Sequence, residues 1–301
     1  MDFTPKRRWF QFSLRTLLLV TTASAAGTGW VIHERKLCQQ GQQAVATVKA
    51  DEGSLLYEKS WLDRPKWLRS ILGDDSFRSV TDVRFSSSSH DLDLVFAFPR
   101  LKRLDLRSNR GLGDIDFARI QSFSALEELC LADMHLKDDQ LQFLRGTPRL
   151  RRLDLTGTFI IGEGLSHLHG CKNLESLNLS HTSMMNEFLP KLRPLRNLKT
   201  LNLRSTLVTD AGLTEIGEHP ELVELDLGDN KITGEQFDAL ANLTQLKVLR
   251  LDGTHVSDAA FSKLETLRNL KELTLDARAG DAGVSELQKT LPNLMLVRIR
   301  K

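Results

Sequence analysis

Histidines and cysteines are the first side chains to consider as metal ligands or nucleophiles in this sequence. His167 and His169 are separated by one residue, and on a helix such a pair points to different sides, which does not suit chelation. Cys38, Cys130 and Cys171 are far apart, and none has a second ligand or a base at a useful spacing. We therefore predict no catalytic residue, no metal site, no cofactor and no enzyme activity.

The charge balance argues against nucleic acid as a partner. The 301 residues contain 41 Lys and Arg against 39 Asp and Glu, for a formal net charge of +2. Capture of nucleic-acid phosphates needs a basic face, and the sequence shows none. The odd number of cysteines also does not suit disulfide-capped ends, so we predict free thiols with a structural role.

The strongest feature of the sequence is a repeat. The pattern L-x-x-L-x-L begins at Leu101, Leu126, Leu150, Leu174, Leu198, Leu222, Leu246 and Leu270. The first spacing is 25 residues and the later ones are 24. A partial ninth copy begins at Leu294, and a degenerate copy at Val80 precedes the first. We number the positions of each copy from its first Leu.

One copy shows how each repeat should fold. Leu201 and Leu203 alternate along a short strand and should point inward. Thr206, at position nine, can bond its hydroxyl to the backbone where the chain leaves the strand. Thr209 and Asp210 follow as a predicted helix N-cap, and a short outer helix should run from there towards Pro220. Such copies stack into a parallel sheet with short helices outside.

These residues resemble the leucine-rich-repeat family, in its 24-residue form with the consensus LxxLxLxxTxITDxGLxxL. Residues 209–213, TDAGL, match its second half. The resemblance covers residues 80–301 and implies an α/β solenoid that recognises protein partners. Together with the opening RRWFQFSLRTLLLV and the segment WLRSILGDD, the whole resembles the membrane-anchored repeat proteins common in planctomycete bacteria.

An uncharged segment at residues 16–32 is predicted to be one transmembrane helix. As a helix it would be about 25 Å long, against a hydrocarbon core of about 30 Å. The Lys and Arg residues before it outnumber those just after it, which favours a cytoplasmic N-terminus and a solenoid outside. The alternative is a cleaved signal peptide and a secreted protein, because residues 23–25, Ala-Ser-Ala, suit a cleavage site.

The rest of the N-terminal region should link the membrane to the repeats. Pro65 suits the first turn of a short helix and Gly73 its end, with Trp67 and Ile71 on one apolar face that could cap the core. The predicted division is a basic cytoplasmic N-terminus (1–15), the transmembrane segment (16–32), a stalk or linker (33–60), a capping helix (61–79) and the solenoid (80–301).

Positions three, five and seven of each strand should face the concave side and form the binding surface. The candidates are Arg103, Asp105, Arg107, Glu128, Arg152, Asp154, Asn178, Asn202, Arg204, Asp226, Arg250 and Asp252. Residues 103–107 and 152–154, where Arg and Asp alternate, are the best candidates for a specific patch. Aromatic anchors are absent from these positions, so a polar protein, peptide or glycan partner fits better than an apolar ligand.

We therefore predict a membrane-anchored protein that recognises a protein or peptide through its concave face. Two alternatives stay open at this stage. The mixed charges could be ordinary solvated strand faces, and the protein could be a structural or adhesive component of the envelope, without a specific ligand. It could also be the targeting arm of an enzyme whose catalytic chain is separate.

Overall fold

The computed structural model describes residues 46, 54–59, 78–84, 98, 100–109, 114–277 and 281–299. The predicted membrane segment at 16–32, most of the predicted linker and nearly all of the predicted capping helix lie outside these residues. No helix within the described part of the chain is both long and apolar enough to cross a membrane.

The described strands form one sheet in which spatial order follows chain order. At its N-terminal edge, β1 (Ser54–Lys59) pairs antiparallel with β2 (Arg78–Arg84). The parallel strands that follow are β3 (Arg103–Asp105), β4 (Glu128–Cys130), β5 (Arg152–Asp154), β6 (Ser176–Asn178), β7 (Thr200–Asn202), β8 (Glu224–Asp226), β9 (Val248–Arg250), β10 (Glu272–Asp276) and β11 (Met295–Ile299). Residues 54–59 were predicted as linker, and the structure instead makes them a strand of the sheet.

The register of the sheet follows the repeat. From Leu129 to Leu273, the Leu at position four of each copy pairs with the Leu 24 residues further on. Between β10 and β11, however, Leu273 pairs with Leu296, a separation of 23 residues. The Leu side chains at positions one, four and six are buried from Leu101 to Leu275 and form the core. The predicted parallel solenoid is confirmed.

The outer segments are mostly 3-10 helices, although three α-helices also occur among the described residues from 98 to 299. The α-helices are α1 (Asp114–Ile120), α2 (Leu213–Ile216) and α3 (Asp281–Thr290). The 3-10 helices are Asp138–Gly146, Glu163–Gly170, Asn186–Leu192, Asp210–Gly212, Phe237–Asn242 and Asp258–Thr266. A 3-10 helix rises about 2.0 Å per residue against about 1.5 Å for an α-helix, so a short segment covers more of the way back to the next strand.

Thr209 occupies the N-cap position, as predicted, but its side chain makes no capping bond. The carboxylate of Asp210 reaches the next repeat instead, where it accepts the backbone N–H groups of Thr233 and Gly234 at 2.8 and 2.9 Å. Asp138 does the same for Ile161, at 2.8 Å. These acids therefore join successive repeats rather than cap their own helix.

Threonine side chains at position nine close the turn that follows the strand. Thr206 Oγ1 donates to the carbonyl oxygen of Leu203 at 2.8 Å, which confirms the predicted role of this hydroxyl. Thr158 and Thr182 make the same bond at 2.6 Å to the carbonyls of Leu155 and Leu179. Each hydroxyl satisfies a carbonyl oxygen at the point where the strand ends.

The residue at position eight, just before position nine, has a positive φ in seven successive copies. These residues are Ser108, Asp133, Gly157, His181, Ser205, Asp229 and Gly253. Only two of them are glycine, the residue that adopts this conformation without steric strain. The turn therefore stores strain at five positions.

Candidate binding surface on the concave face

The structure places all twelve candidate residues on one side of the sheet, as three rows that cross the strands. Within each strand the middle Leu is buried and its two neighbours are half-buried or exposed, as at Arg103, Leu104 and Asp105. Two-residue alternation produces this pattern. The rows at positions three and five thus form a mostly polar surface. Position seven is only partly exposed, and the candidate Asp252 in that row is buried, so it is not part of the exposed surface that was predicted.

Position five has a structural role that the sequence prediction missed. In five copies its side-chain oxygen accepts the backbone N–H two residues further on, at 2.9 to 3.1 Å. These residues are Asp105, Asp154, Asn178, Asn202 and Asp226. Such local bonds from Asp and Asn stabilise turns, so this row shapes the end of each strand as well as its surface. The recurrence of Asp and Asn at position five was the available signal.

A cleft of about 570 Å³ lies over the N-terminal half of this surface, between β2 and β6. Seven candidates line it: Arg103, Asp105, Arg107, Glu128, Arg152, Asp154 and Asn178. Both segments of the predicted patch, 103–107 and 152–154, therefore meet in one cavity. The other five candidates lie beyond it, on β7 to β9 and the turns that follow.

Two charged lining residues, Asp82 and Arg84, were missing from the predicted set. They occupy positions three and five of the degenerate copy that begins at Val80, so extending the repeat numbering by one copy would have found them. Arg84 Nε lies 2.8 Å from Asp105 Oδ2, and Arg103 Nε contacts Asp82 Oδ1. The antiparallel hairpin thus contributes charges to the first repeat of the face.

Asp105 is the centre of charge at this end of the cleft. Burial disfavours its ionised form, but hydrogen bonds from Arg107 and the charges of Arg107 and Arg84 outweigh burial and hold its pKa below the usual value. Arg107 Nη2 lies 2.9 Å from Asp105 Oδ2. Asp105 is therefore an anion at neutral pH with two guanidinium partners.

Arg152 is held far more loosely. Its side chain is 69% exposed, and its ion-pair partner among the described residues is Glu128, with Nη1 and Oε1 3.8 Å apart. That distance is too long for a hydrogen bond. Exposed arginines with unused donors are the groups that anchor carboxylates of a partner. Arg152 is thus the cation of the cleft most available to a ligand.

The Cys130 thiol in this cleft is held in its protonated form. Burial, together with the charges of Asp154 and Asp105, raises its pKa to about 12, so the thiol stays protonated at neutral pH. Its Sγ lies 3.7 Å from Asp154 Oδ2. Across the described residues, no group of three His, Cys, Asp or Glu side chains is arranged to hold a metal ion.

The C-terminal half of the face carries a different arrangement, centred on Arg204. Its guanidinium binds Asp252 and also lies 2.5 Å from Asp229 Oδ2 and 3.8 Å from Asp226 Oδ1. The hydrogen bonds to Asp252 and the three negative charges raise the pKa of Arg204 above its usual value. Arg204 and Asp252 therefore satisfy each other, and this pair offers less to a partner than Arg152 does.

Comparisons with known proteins agree with the fold. Residues 195–217 and 221–243 each match a family model described as a leucine-rich repeat. The repeat, the fold and these matches identify the chain as a leucine-rich-repeat protein. In this class the repeats generally mediate protein–protein interaction, and stacked repeats create extended concave binding surfaces.

Solved structures of two bacterial proteins align with this chain. A leucine-rich-repeat protein from Leptospira interrogans aligns with a TM-score of 0.54 and 23% identity, over 71% of this chain and 58% of that one. An internalin from Listeria monocytogenes aligns with a TM-score of 0.47 and 18% identity, over 77% of this chain and 88% of that one. The chain thus spans little more than half of the Leptospira protein. No curated protein matches the sequence.

Proposed function

We propose that this protein recognises a protein or peptide partner through its concave face, with the cleft between β2 and β6 as the centre of the contact. The observation that carries the proposal is the cleft itself, which gathers seven of the twelve candidate residues into about 570 Å³. A cavity of this size can hold several side chains of a partner. This function is binding and not catalysis.

The chemistry of the cleft favours a polar partner. Its side chains are mostly charged or hydrogen-bonding, and Arg152 is exposed with donors to spare. Arginine is a strong anchor of interfaces, whereas apolar ligands need aromatic or aliphatic pockets. A peptide segment with both acidic and basic side chains is the best match, because the cleft itself carries both.

We further propose that residues 16–32 anchor the protein in a membrane and that the solenoid lies outside the cytoplasm. The length of this uncharged segment supports the membrane anchor, and the Lys and Arg residues before it support this orientation. Digestion of intact cells with protease, together with the mass of the mature chain, tests it. Digestion of the solenoid from outside and an uncleaved mass are expected, while a mass that begins after Ala25 would favour secretion.

A structural envelope role without a specific ligand is the second candidate. The pairing of Arg204 with Asp252, and of Arg84 and Arg107 with Asp105, favours it, because charges that satisfy one another need no partner.

Capture of partners on the full-length protein separates the two functions. The variant Arg107→Glu/Arg152→Glu reverses two exposed cations at the cleft, and Arg149→Glu/Arg268→Glu reverses two exposed cations elsewhere as a matched control. Recognition predicts a partner that the wild type and the control retain and that the cleft variant loses. No such partner, or one retained by both variants, favours the structural role.

A further inference from the structure

The middle of the position-five row contains two carboxylates on either side of two amides. Asp154, Asn178, Asn202 and Asp226 follow one another on β5 to β8, and each pairs directly with the next. In all four, the side-chain Oδ1 accepts the backbone N–H two residues further on. One terminal atom of each side chain is thus used by the fold. The other remains for a ligand, although in Asp154 this atom, Oδ2, also accepts a weak hydrogen bond from Cys130 Sγ at 3.7 Å.

The remaining atom differs between Asp and Asn. An amide nitrogen cannot accept a backbone N–H, so this bond fixes the orientation of Asn178 and Asn202 and leaves their Nδ2 groups as donors. Neither Nδ2 has a hydrogen-bond partner among the residues that the structure describes. In Asp154 and Asp226 the remaining atom is a carboxylate oxygen. From β5 to β8, the atoms that remain for a ligand are therefore an acceptor, a donor, a donor and an acceptor.

The groups beside the row extend this pattern. Ser176 and Thr200, at position three of the same strands, place hydroxyls next to the two amides. The loosely held guanidinium of Arg152 lies one strand away. At the other end, Arg204 Nη1 lies 3.8 Å from Asp226 Oδ1, the atom that the fold already uses, and its positive charge disfavours a cationic ligand at this aspartate. The centre of the row thus suits an anion, and Asp154 is the stronger of the two flanking acceptors.

The spacing of the row matches an extended peptide. Parallel strands lie about 4.8 Å apart, so the midpoint between Asn178 and Asn202 is about 7 Å from either aspartate. Alternate side chains on one face of an extended chain are about 6.8 Å apart. We propose that this row recognises an extended polypeptide segment in which a carboxylate side chain lies between two cationic side chains, each two residues away. This inference rests on the proposed concave-face function and specifies its ligand.

Two peptides of identical composition test the pattern. The probe is Lys-Ser-Glu-Ser-Lys, flanked by Gly-Ser and labelled with a fluorophore, and its scramble is Lys-Lys-Ser-Ser-Glu. Both carry the same net charge, so a difference in fluorescence anisotropy with the full-length protein reports the order of charges. The dissociation constant of the patterned peptide is expected to be lower by about tenfold.

Substitution at the two amides should change the preference without changing the fold. Asp makes the same backbone bond at positions 154 and 226, so Asn178→Asp/Asn202→Asp keeps the turns and replaces both donors by acceptors. This variant should no longer bind the peptide Lys-Ser-Glu-Ser-Lys and should instead bind the peptide Lys-Ser-Lys-Ser-Lys. The control Ser183→Asp/Ser262→Asp adds the same charge at exposed positions away from the concave face.

A second variant keeps the test valid if four adjacent carboxylates destabilise the protein. Asp154→Asn leaves the backbone bond possible and turns one flanking acceptor into a donor, which should weaken the patterned peptide by about tenfold. Thermal unfolding of each variant confirms that it is folded.

Three results would overturn the inference: equal binding of the two isomeric peptides, no binding of either at about 1 mM, or unchanged binding by the folded variants. The proposed concave-face function is tested separately from this peptide pattern. If the Arg107→Glu/Arg152→Glu protein still loses its captured partner, the concave face binds a different ligand. If it retains the partner, concave-face recognition itself fails.

Discussion

Arg204 forms a two-bonded ion pair with Asp252, 48 residues further along the chain, by passing over Gly228. Its Nη1 and Nη2 lie 3.1 and 2.5 Å from the two carboxylate oxygens. The three residues occupy position seven of successive copies. A Cβ at residue 228 would lie 2.5 Å from Arg204 Nη1, so a side chain there would displace the guanidinium from this position. The pair therefore joins three repeats through one bare backbone position.

Loss of Arg204 should destabilise the solenoid, because the Asp252 side chain is only 1% exposed and would remain buried without its cation. For Arg204→Met we expect the free energy of unfolding to fall by about 3 kcal/mol, measured by urea denaturation. The control Arg193→Met removes the two-bonded but exposed pair with Glu215 and should change stability little. Equal effects of the two substitutions would contradict this account.

Glycine at position eight should stabilise the protein where another residue now has a positive φ. Ser205 has a φ of 54°, and its replacement by glycine removes a steric strain of about 1 kcal/mol. Ser205→Gly should therefore raise the melting temperature. The control Ser183→Gly changes a nearby exposed residue outside this set and should lower it slightly, because glycine adds entropy to the unfolded chain. A lower melting temperature for Ser205→Gly would refute the assignment of strain.

Stability should decrease in mild acid because of His219. This residue takes the place of the buried leucines Leu195 and Leu243 in one column of the core, and its Nδ1 has no hydrogen-bond partner among the described residues. Burial lowers its pKa below 6.5, so the unfolded chain binds a proton before the folded one does. The neutral His219 side chain therefore costs no protonation energy above pH 6.5. Below this pH the free energy of unfolding decreases, until the pH reaches the lower pKa that His219 has in the folded protein.

The variant His219→Leu isolates this effect. It restores the leucine of the column, so it should be more stable than the wild type by about 1 kcal/mol at neutral pH, and by more in acid. Unfolding of both proteins in urea at about pH 8 and about pH 5 measures the difference. Other titrating groups are shared and cancel. A constant difference across this range would show that His219 does not carry the pH dependence.

Asn230 should be more sensitive to truncation than the threonines that occupy position nine elsewhere. Its Nδ2 donates to the carbonyls of Leu203 and Leu227 at 2.7 and 3.0 Å, and its Oδ1 accepts the N–H of Thr206 at 2.9 Å. Asn230→Ala leaves these buried groups unpaired and should lower the free energy of unfolding by about 3 kcal/mol. Asn230→Thr should recover part of the loss in the same urea titration. No recovery would mean that the two residue types close the turn differently.

The sequence alone predicted the features that depend on one copy of the repeat or on its regular period. The Leu columns and the Thr206 hydroxyl bond follow from alternation within one repeat. The parallel sheet follows from the regular period, which places equivalent strands of successive copies in register. The same reasoning put the candidate side chains on one face of the sheet. Repetition supplied both the period and the register.

Features that depend on contacts between copies could not be predicted in this way. Asp210 has the position of a helix cap, yet it bonds to backbone in the following repeat. Arg204 reaches two repeats away only because residue 228 lacks a side chain. The positive φ at His181 could not be predicted from the sequence. A glycine would have indicated this conformation, but here the stacking of the repeats imposes it on another residue.

Photo-crosslinking in intact cells tests concave-face recognition most directly. A photoreactive amino acid is placed at Ser176 or Thr200, on the concave face, and at the exposed Ser262 on the convex side as the control. Concave-face recognition predicts one cross-linked species of defined mass from positions 176 and 200 and none from position 262. Cross-links from position 262 alone, or equally from all three, would contradict it.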